Sequence, residues 1–152
     1  MRFWRMCRER YAATAANGEG ARLYGGRWNS RGVRMVYAST SLALAAVEIF
    51  VNLEPNLLPG DLVFIEGEVP EALGTGRLEL KQLPEGWHRA RDESLRRFGD
   101  EWIRAGQTVG LLVPSAAIRG EWNMLLNPAH PSFPKVKFHE TRRFEFDARM
   151  FR

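Results

Sequence analysis

A single cysteine, Cys7, stands among the 152 residues, so no disulfide closes within the chain. With only three scattered histidines beside it, the sequence holds no ligand set of recognisable zinc spacing, and no metal is expected. No apolar run approaches the roughly 20 residues that cross a bilayer. The opening MRFWRMCRER is too charged for the apolar core of a secretion signal. These absences point to a cytoplasmic protein without a membrane segment. Blocks of like charge are missing as well: 22 basic and 18 acidic residues are interspersed, and the net charge is +4. A broad basic stripe is thereby excluded, and direct binding to nucleic acid is not expected. The tryptophans are dispersed rather than arranged as a row of stacking platforms. A small anionic ligand needs only a few cations at one place, and it passes this test.

What is present is an ordinary globular composition, 45% apolar, sufficient for one core and one domain spanning residues 1–152. The pattern reads as α+β: a small mixed-sheet core with flanking helices. Short strands are expected over residues 2–7, 35–38, 61–69 and 109–113, with a weaker one over 77–83 and a strand or hairpin over 135–146. Ser41 opens a helix that ends before Pro55, and Asp92 to Ala105 places Leu95, Phe98, Trp102 and Ile103 on one helical face. Residues 12–32 hold five glycines and read as irregular. Residues 120–133, with Asn127-Pro128 and His130-Pro131, read as a proline-held loop in which His130 is structural.

Three features carry chemistry. The first is LYGGRWNSRG over residues 23–32. Neither a strand nor a helix favours paired glycines, which cost a helix about 1 kcal/mol each. Such a pair suits a sharp turn or a close approach, and Arg27 is the side chain it presents. Guanidinium grips phosphate at two points, so Gly25, Gly26, Arg27 and Asn29 together make a plausible anion cradle. The spacing is neither a P-loop nor a dinucleotide fingerprint. The second is Glu48, alone in charge within LALAAVEIFV. Its stripe with Ser41, Ala45 and Asn52 faces either solvent or a cleft, and the cleft reading gives the carboxylate work to do. The third is Tyr37 at the end of its strand, either a packing residue or a platform for a planar ring.

The order GEGARLYGGRWNSRGVRMVYASTSLALAAVE, then LLVPSA, then EWNMLLNPAHPSF resembles the RES domain family, the toxins of RES-Xre toxin-antitoxin systems. The family's arginine, glutamate and serine match Arg27, Glu48 and Ser115. The resemblance spans nearly the whole chain, and residues 70–105 contribute nothing to it. It implies an ADP-ribosyltransferase-like fold and a toxin that consumes NAD+ as substrate by cleaving the nicotinamide-ribose bond. The products come from hydrolysis, phosphorolysis or ADP-ribosyl transfer, and growth arrest follows. It also implies an Xre-like antitoxin that blocks the active site, in a homodimer or a higher toxin-antitoxin complex. In this reading Arg27 and Glu48 are catalytic. Gly26, Arg27, Trp28 and Asn29 bind substrate, with Arg27 and its preceding glycines on the pyrophosphate; Tyr37 stacks on nicotinamide, Ser115 hydrogen-bonds the nicotinamide ribose or amide, and Asn123 is a weaker contact. An ADP-ribosyltransferase with one protein target, or a RES-like module that binds nucleotide or partner without turnover, is the alternative.

Overall fold

Alternating and continuous apolar runs assemble into one sheet, and the sheet carries everything else. The computed structural model describes residues 1–54, 56–89 and 92–151. Among them the strands are β1 (Arg2–Arg8), β2 (Val36–Ser39), β3 (Leu62–Glu68), β4 (Thr75–Arg77), β5 (Gly110–Pro114), β6 (Trp122–Leu126), β7 (Lys137–Phe138) and β8 (Arg142–Arg143). Their order is β4-β5-β6-β2-β1-β3-β7, with β8 also pairing β3. The β4/β5 pair is parallel and the other pairs are antiparallel. The helices are α1 (Glu19–Tyr24), α2 (Leu42–Phe50) and α3 (Glu93–Ala105). The α+β class and the mixed sheet are as expected.

Both faces of the central strands are covered. Leu112, Met124 and Leu126 join Phe3 and Val36 on one side, while Leu111, Val113 and Leu125 pack with Trp28, Leu95 and Trp102 on the other. This explains why Val109 to Val113 is continuously apolar rather than alternating. α3 seals the second face. Its Asp92 carboxylate caps Ser94 N–H, its Leu95 and Trp102 are buried, and Gly106 ends it in the left-handed conformation, where glycine carries no Cβ penalty. α2 begins at its expected cap, with Ser41 Oγ accepting from Leu44 N–H at 3.1 Å. It stops at Phe50, sooner than expected, and Asn52 Nδ2 closes the end on the Glu48 carbonyl. Pro55, on which the expected end rested, lies outside the described residues.

Four expectations need correction. Residues 12–32 are not simply irregular, because α1 forms within them and ends at Gly25, whose φ of 69° needs glycine. Residues 120–133 are not only a loop: β6 is a central strand whose Met124, Leu125 and Leu126 are fully buried. Turn signals from Asn127-Pro128 onward masked a short apolar run. Residues 77–83 split into the end of β4 and a 3-10 turn over Leu80–Gln82. The expected hairpin over 135–146 supplies only the short strands β7 and β8, both paired to β3 rather than to each other. His130 behaves as foreseen, its Nδ1 accepting from Ser132 N–H within a turn.

Candidate active site

A cavity of about 840 Å³ opens over β1 and β2, between α2 and the segment from α1 to Trp28. This lies within the usual range for small-molecule pockets, about 300–1,000 Å³. Gly26, Arg27, Trp28, Tyr37, Glu48 and Asn123 all line it, and so do Ala45, Ile49 and Asn52 of α2. The stripe bearing Glu48 therefore faces the cavity. Asn29 and Ser115 stand behind its wall.

Glu48 is the best-held group. Its Oε1 accepts from Ser115 Oγ and from Asn123 Nδ2, each at 2.6 Å. Ser115 is buried, and its oxygen in turn accepts from Ala117 and Ile118 N–H at 3.1 and 3.0 Å. That arrangement orients the serine proton toward the carboxylate. Oε2 takes part in no hydrogen bond among the described residues. Ser115 was expected to touch substrate, but its hydroxyl is committed to Glu48 and to two backbone amides, and it reaches the cavity only through that carboxylate. Asn123 lines the cavity, yet its amide nitrogen is also given to Glu48.

The glycine pair serves two separate needs. Gly25 turns the chain out of α1. Gly26 makes room for a neighbour: a Cβ there would stand 2.6 Å from the Tyr37 hydroxyl and 3.0 Å from Asn29 Oδ1. The close approach is thus to the protein's own tyrosine. That hydroxyl donates to Asn29 Oδ1 at 2.6 Å and accepts from Trp28 N–H at 3.0 Å. Asn29, fully buried, donates through Nδ2 to the carbonyls of Ala21, Ser30 and Val33. It is the brace of the loop rather than part of an anion cradle. Asn29→Ala is expected to lower unfolding stability by about 2 kcal/mol, because it strands buried polar groups. Urea denaturation reads this, and an unchanged midpoint would refute the brace.

Residues 70–105, which contribute nothing to the family resemblance, hold the loop from behind. Asp100 Oδ1 accepts from Ser30 N–H at 2.9 Å. Gly99 lies so close to the loop that a Cβ would overlap the Trp28 carbonyl oxygen. The Trp87 carbonyl accepts from Arg27 Nη1 at 3.1 Å, and the Trp28 and Trp87 rings lie 6.3 Å apart. Arg27 is thereby aimed by the backbone of a segment 60 residues away.

Sequence reasoning missed Arg5 and His88, which also line the cavity. Arg5 Nη1 donates to the Tyr37 carbonyl at 2.7 Å, while its buried Nε has no hydrogen-bond partner among the described residues. Burial draws this guanidinium below the ordinary arginine value. An arginine inside the aromatic strand RFWRMCR was the available signal. His88 contacts Arg119. Desolvation, then the charges of Arg119, Arg89 and Arg27, hold its pKa below the usual histidine value. No signal in its own neighbourhood pointed to it. The cavity thus sets one anchored carboxylate against two arginines. Among the described residues, no three His, Cys, Asp or Glu side chains come together to hold a metal ion. No helix among them is long and apolar enough to cross a membrane.

Comparison with known proteins bears on this geometry. The family model described as the RES domain matches residues 2–147. A protein named Prs ADP-ribosylating toxin, from Sphingobium sp. (strain YBL2), is 39% identical over 155 residues, 99% of this chain and 96% of its own length. A protein named Toxin Res from Photorhabdus laumondii is 33% identical, covering 96% of this chain and 93% of that one. Another Toxin Res, from Yersinia enterocolitica, is 31% identical and covers 99% of each. Among solved structures, a chain of the M. tuberculosis MbcT-MbcA toxin-antitoxin complex superposes with a TM-score of 0.72 at 17% identity, over 95% of this chain and 84% of that chain. At that identity the likeness concerns the fold.

Proposed function

This chain belongs to the RES domain family, and from that premise we propose that its cleft binds NAD+ and breaks the nicotinamide-ribose bond, making it the toxin of a toxin-antitoxin pair. We read residues 1–152 as one RES domain. The observation that carries the reading is Glu48, a carboxylate clamped through one oxygen at the wall of a cavity that Arg27 and Arg5 also line.

The chemistry follows from those groups. As the glycosidic bond breaks, its electron pair leaves with nicotinamide, which departs neutral, and positive charge spreads over the ribose C1′ and ring oxygen. A fixed carboxylate stabilises that charge or orients the ribose hydroxyls, and Oε2 of Glu48 has the spare acceptor capacity. Because the leaving ring is already cationic, no strong general acid is needed. The pyrophosphate requires cations, which Arg27 and Arg5 supply, with backbone N–H groups of the Gly26 to Trp28 turn beside them. The Tyr37 ring stands at the cavity wall with its hydroxyl already tied down, so its face is the part offered to nicotinamide.

For the acceptor, the 39% identical relative named Prs ADP-ribosylating toxin favours ADP-ribosyl transfer over hydrolysis or phosphorolysis. An Xre-like antitoxin that covers this cleft is the partner we propose, in keeping with the toxin-antitoxin complex that shares the fold. Incubation with NAD+ tests the reading: free nicotinamide should accumulate, and its absence with and without phosphate or protein acceptor would overturn it. Arg27→Lys is expected to raise KM for NAD+ by about tenfold, since ammonium keeps the charge but loses the two-point contact. Steady-state kinetics decide this, and an unchanged KM would remove Arg27 from the pyrophosphate.

A further inference from the structure

We infer that Ser39 is a positioning residue for the Glu48 carboxylate, acting through Asn123, so that the working carboxylate of the cleft is set by a relay of three side chains drawn from β2, β6 and α2. The inference rests on the NAD+-cleaving reading above only for its kinetic test.

Ser39 ends β2 and is 3% exposed. The β2/β6 register sets it opposite Asn123, and its Oγ donates to Asn123 Oδ1 at 2.7 Å. A side-chain amide has one accepting end and one donating end. An ionised carboxylate only accepts, so Glu48 takes the Nδ2 end, at 2.6 Å. Oδ1 is thereby turned toward the strand, where it needs a donor, and Ser39 supplies it. Without that hydroxyl the oxygen is stranded, and the amide gains by rotating toward another donor, withdrawing Nδ2 from Glu48. Accepting at Oδ1 also polarises the amide and strengthens its donation at the far end.

A second, shorter relay ends on the same atom: Ala117 and Ile118 N–H, Ser115 Oγ, Glu48 Oε1. Both relays converge on Oε1, so that oxygen is the anchor and Oε2 is the one presented for work. The two differ in what supports them. The Ser115 relay is built on a local turn. The Ser39 relay is built on strand pairing and ties the carboxylate's position to the sheet itself.

The test is a double-mutant cycle with Ser39→Ala and Asn123→Ala, followed by nicotinamide release. Ser39→Ala should lower kcat by about tenfold with KM for NAD+ nearly unchanged, as expected when a reacting group is misplaced but the site persists. The double variant should be no slower than Asn123→Ala alone, since Ser39 acts only through the amide. If the losses multiply, or if KM rather than kcat moves, Ser39 touches substrate directly and the relay is wrong. A second readout needs no turnover: the Asn123 side-chain amide signal in a ¹⁵N spectrum, assigned by its loss in Asn123→Ala. Slow hydrogen exchange of that signal in the wild type and fast exchange in Ser39→Ala support the relay, while equal exchange in both overturns it. A wild type that releases no nicotinamide would sink the functional reading and leave the spectrum to decide the relay.

Discussion

Replacing Glu48 with glutamine is expected to cut nicotinamide release by on the order of 10²–10³-fold, the usual consequence of removing one preorganised electrostatic group from a reacting centre. The substitution preserves volume. The amide oxygen of glutamine can still accept from Ser115 and Asn123 in the place of Oε1. The other end changes from an acceptor with charge into a donor, and in the proposed reading that end meets the ribose. The thermal midpoint should therefore stay close to wild type while turnover collapses, which is the combination that separates a reacting carboxylate from a structural one. Chromatographic quantification of nicotinamide alongside a melting curve gives both numbers. Retained turnover in a folded Glu48→Gln protein would assign the carboxylate to a structural role alone.

Gly99→Ala should do the opposite, acting on the fold far more than on any reacting atom. The glycine sits within α3, where alanine would ordinarily improve helix propensity by about 1 kcal/mol. Here the added Cβ would overlap the Trp28 carbonyl oxygen and press to 3.2 Å from Met35 Cε. One of these is the methyl of a flexible side chain and can move. The other is backbone, in a loop already fixed by Asn29 and Asp100. Overpacking of this kind costs about 3 kcal/mol. For a chain of this size that corresponds to a fall in Tm of about 6–12 °C. Gly20→Ala in α1 provides the control, because a Cβ there meets nothing within 4 Å. That variant should hold or gain up to about 1 kcal/mol. Differential scanning calorimetry of the pair is decisive, and equal midpoints would mean that α3 does not buttress the loop as described. Loss of the buttress would also loosen Arg27, so residual Gly99→Ala protein should bind NAD+ more weakly.

These two positions show how unevenly the molecule was legible. Glu48 stood out because a lone charge in LALAAVEIFV has only two physical destinations. Gly99 did not, since a glycine inside DESLRRFGDEWIRA looks like a weak point of a helix, and nothing nearby in the chain discloses that another backbone passes against it. Arg27 was picked out for its glycines, although these turned out to serve the turn and the Tyr37 hydroxyl. Ser115 was noticed through its family motif, but its partner, 67 residues away, was not. Arg5 was passed over as one basic residue among many in a strand-like stretch.

The chain's own order of residues determined what depends on near neighbours: the Ser41 cap and the span of α3, the continuous apolar core strand, the turn at the glycines, and the motifs that disclose the family. Those follow from backbone sterics and from periodicities of a few residues. Only the tertiary structure decided that Ser115, Asn123 and Ser39 stand behind Glu48, that Asn29 ties the loop, and that α3 carries Gly99 against it. Apart from those of Asn29, which are local, the hydrogen bonds join residues 67 to 84 positions apart through strand register and helix packing, and a one-residue slip of β2 against β6 would turn Ser39 or Asn123 to the opposite face of the sheet.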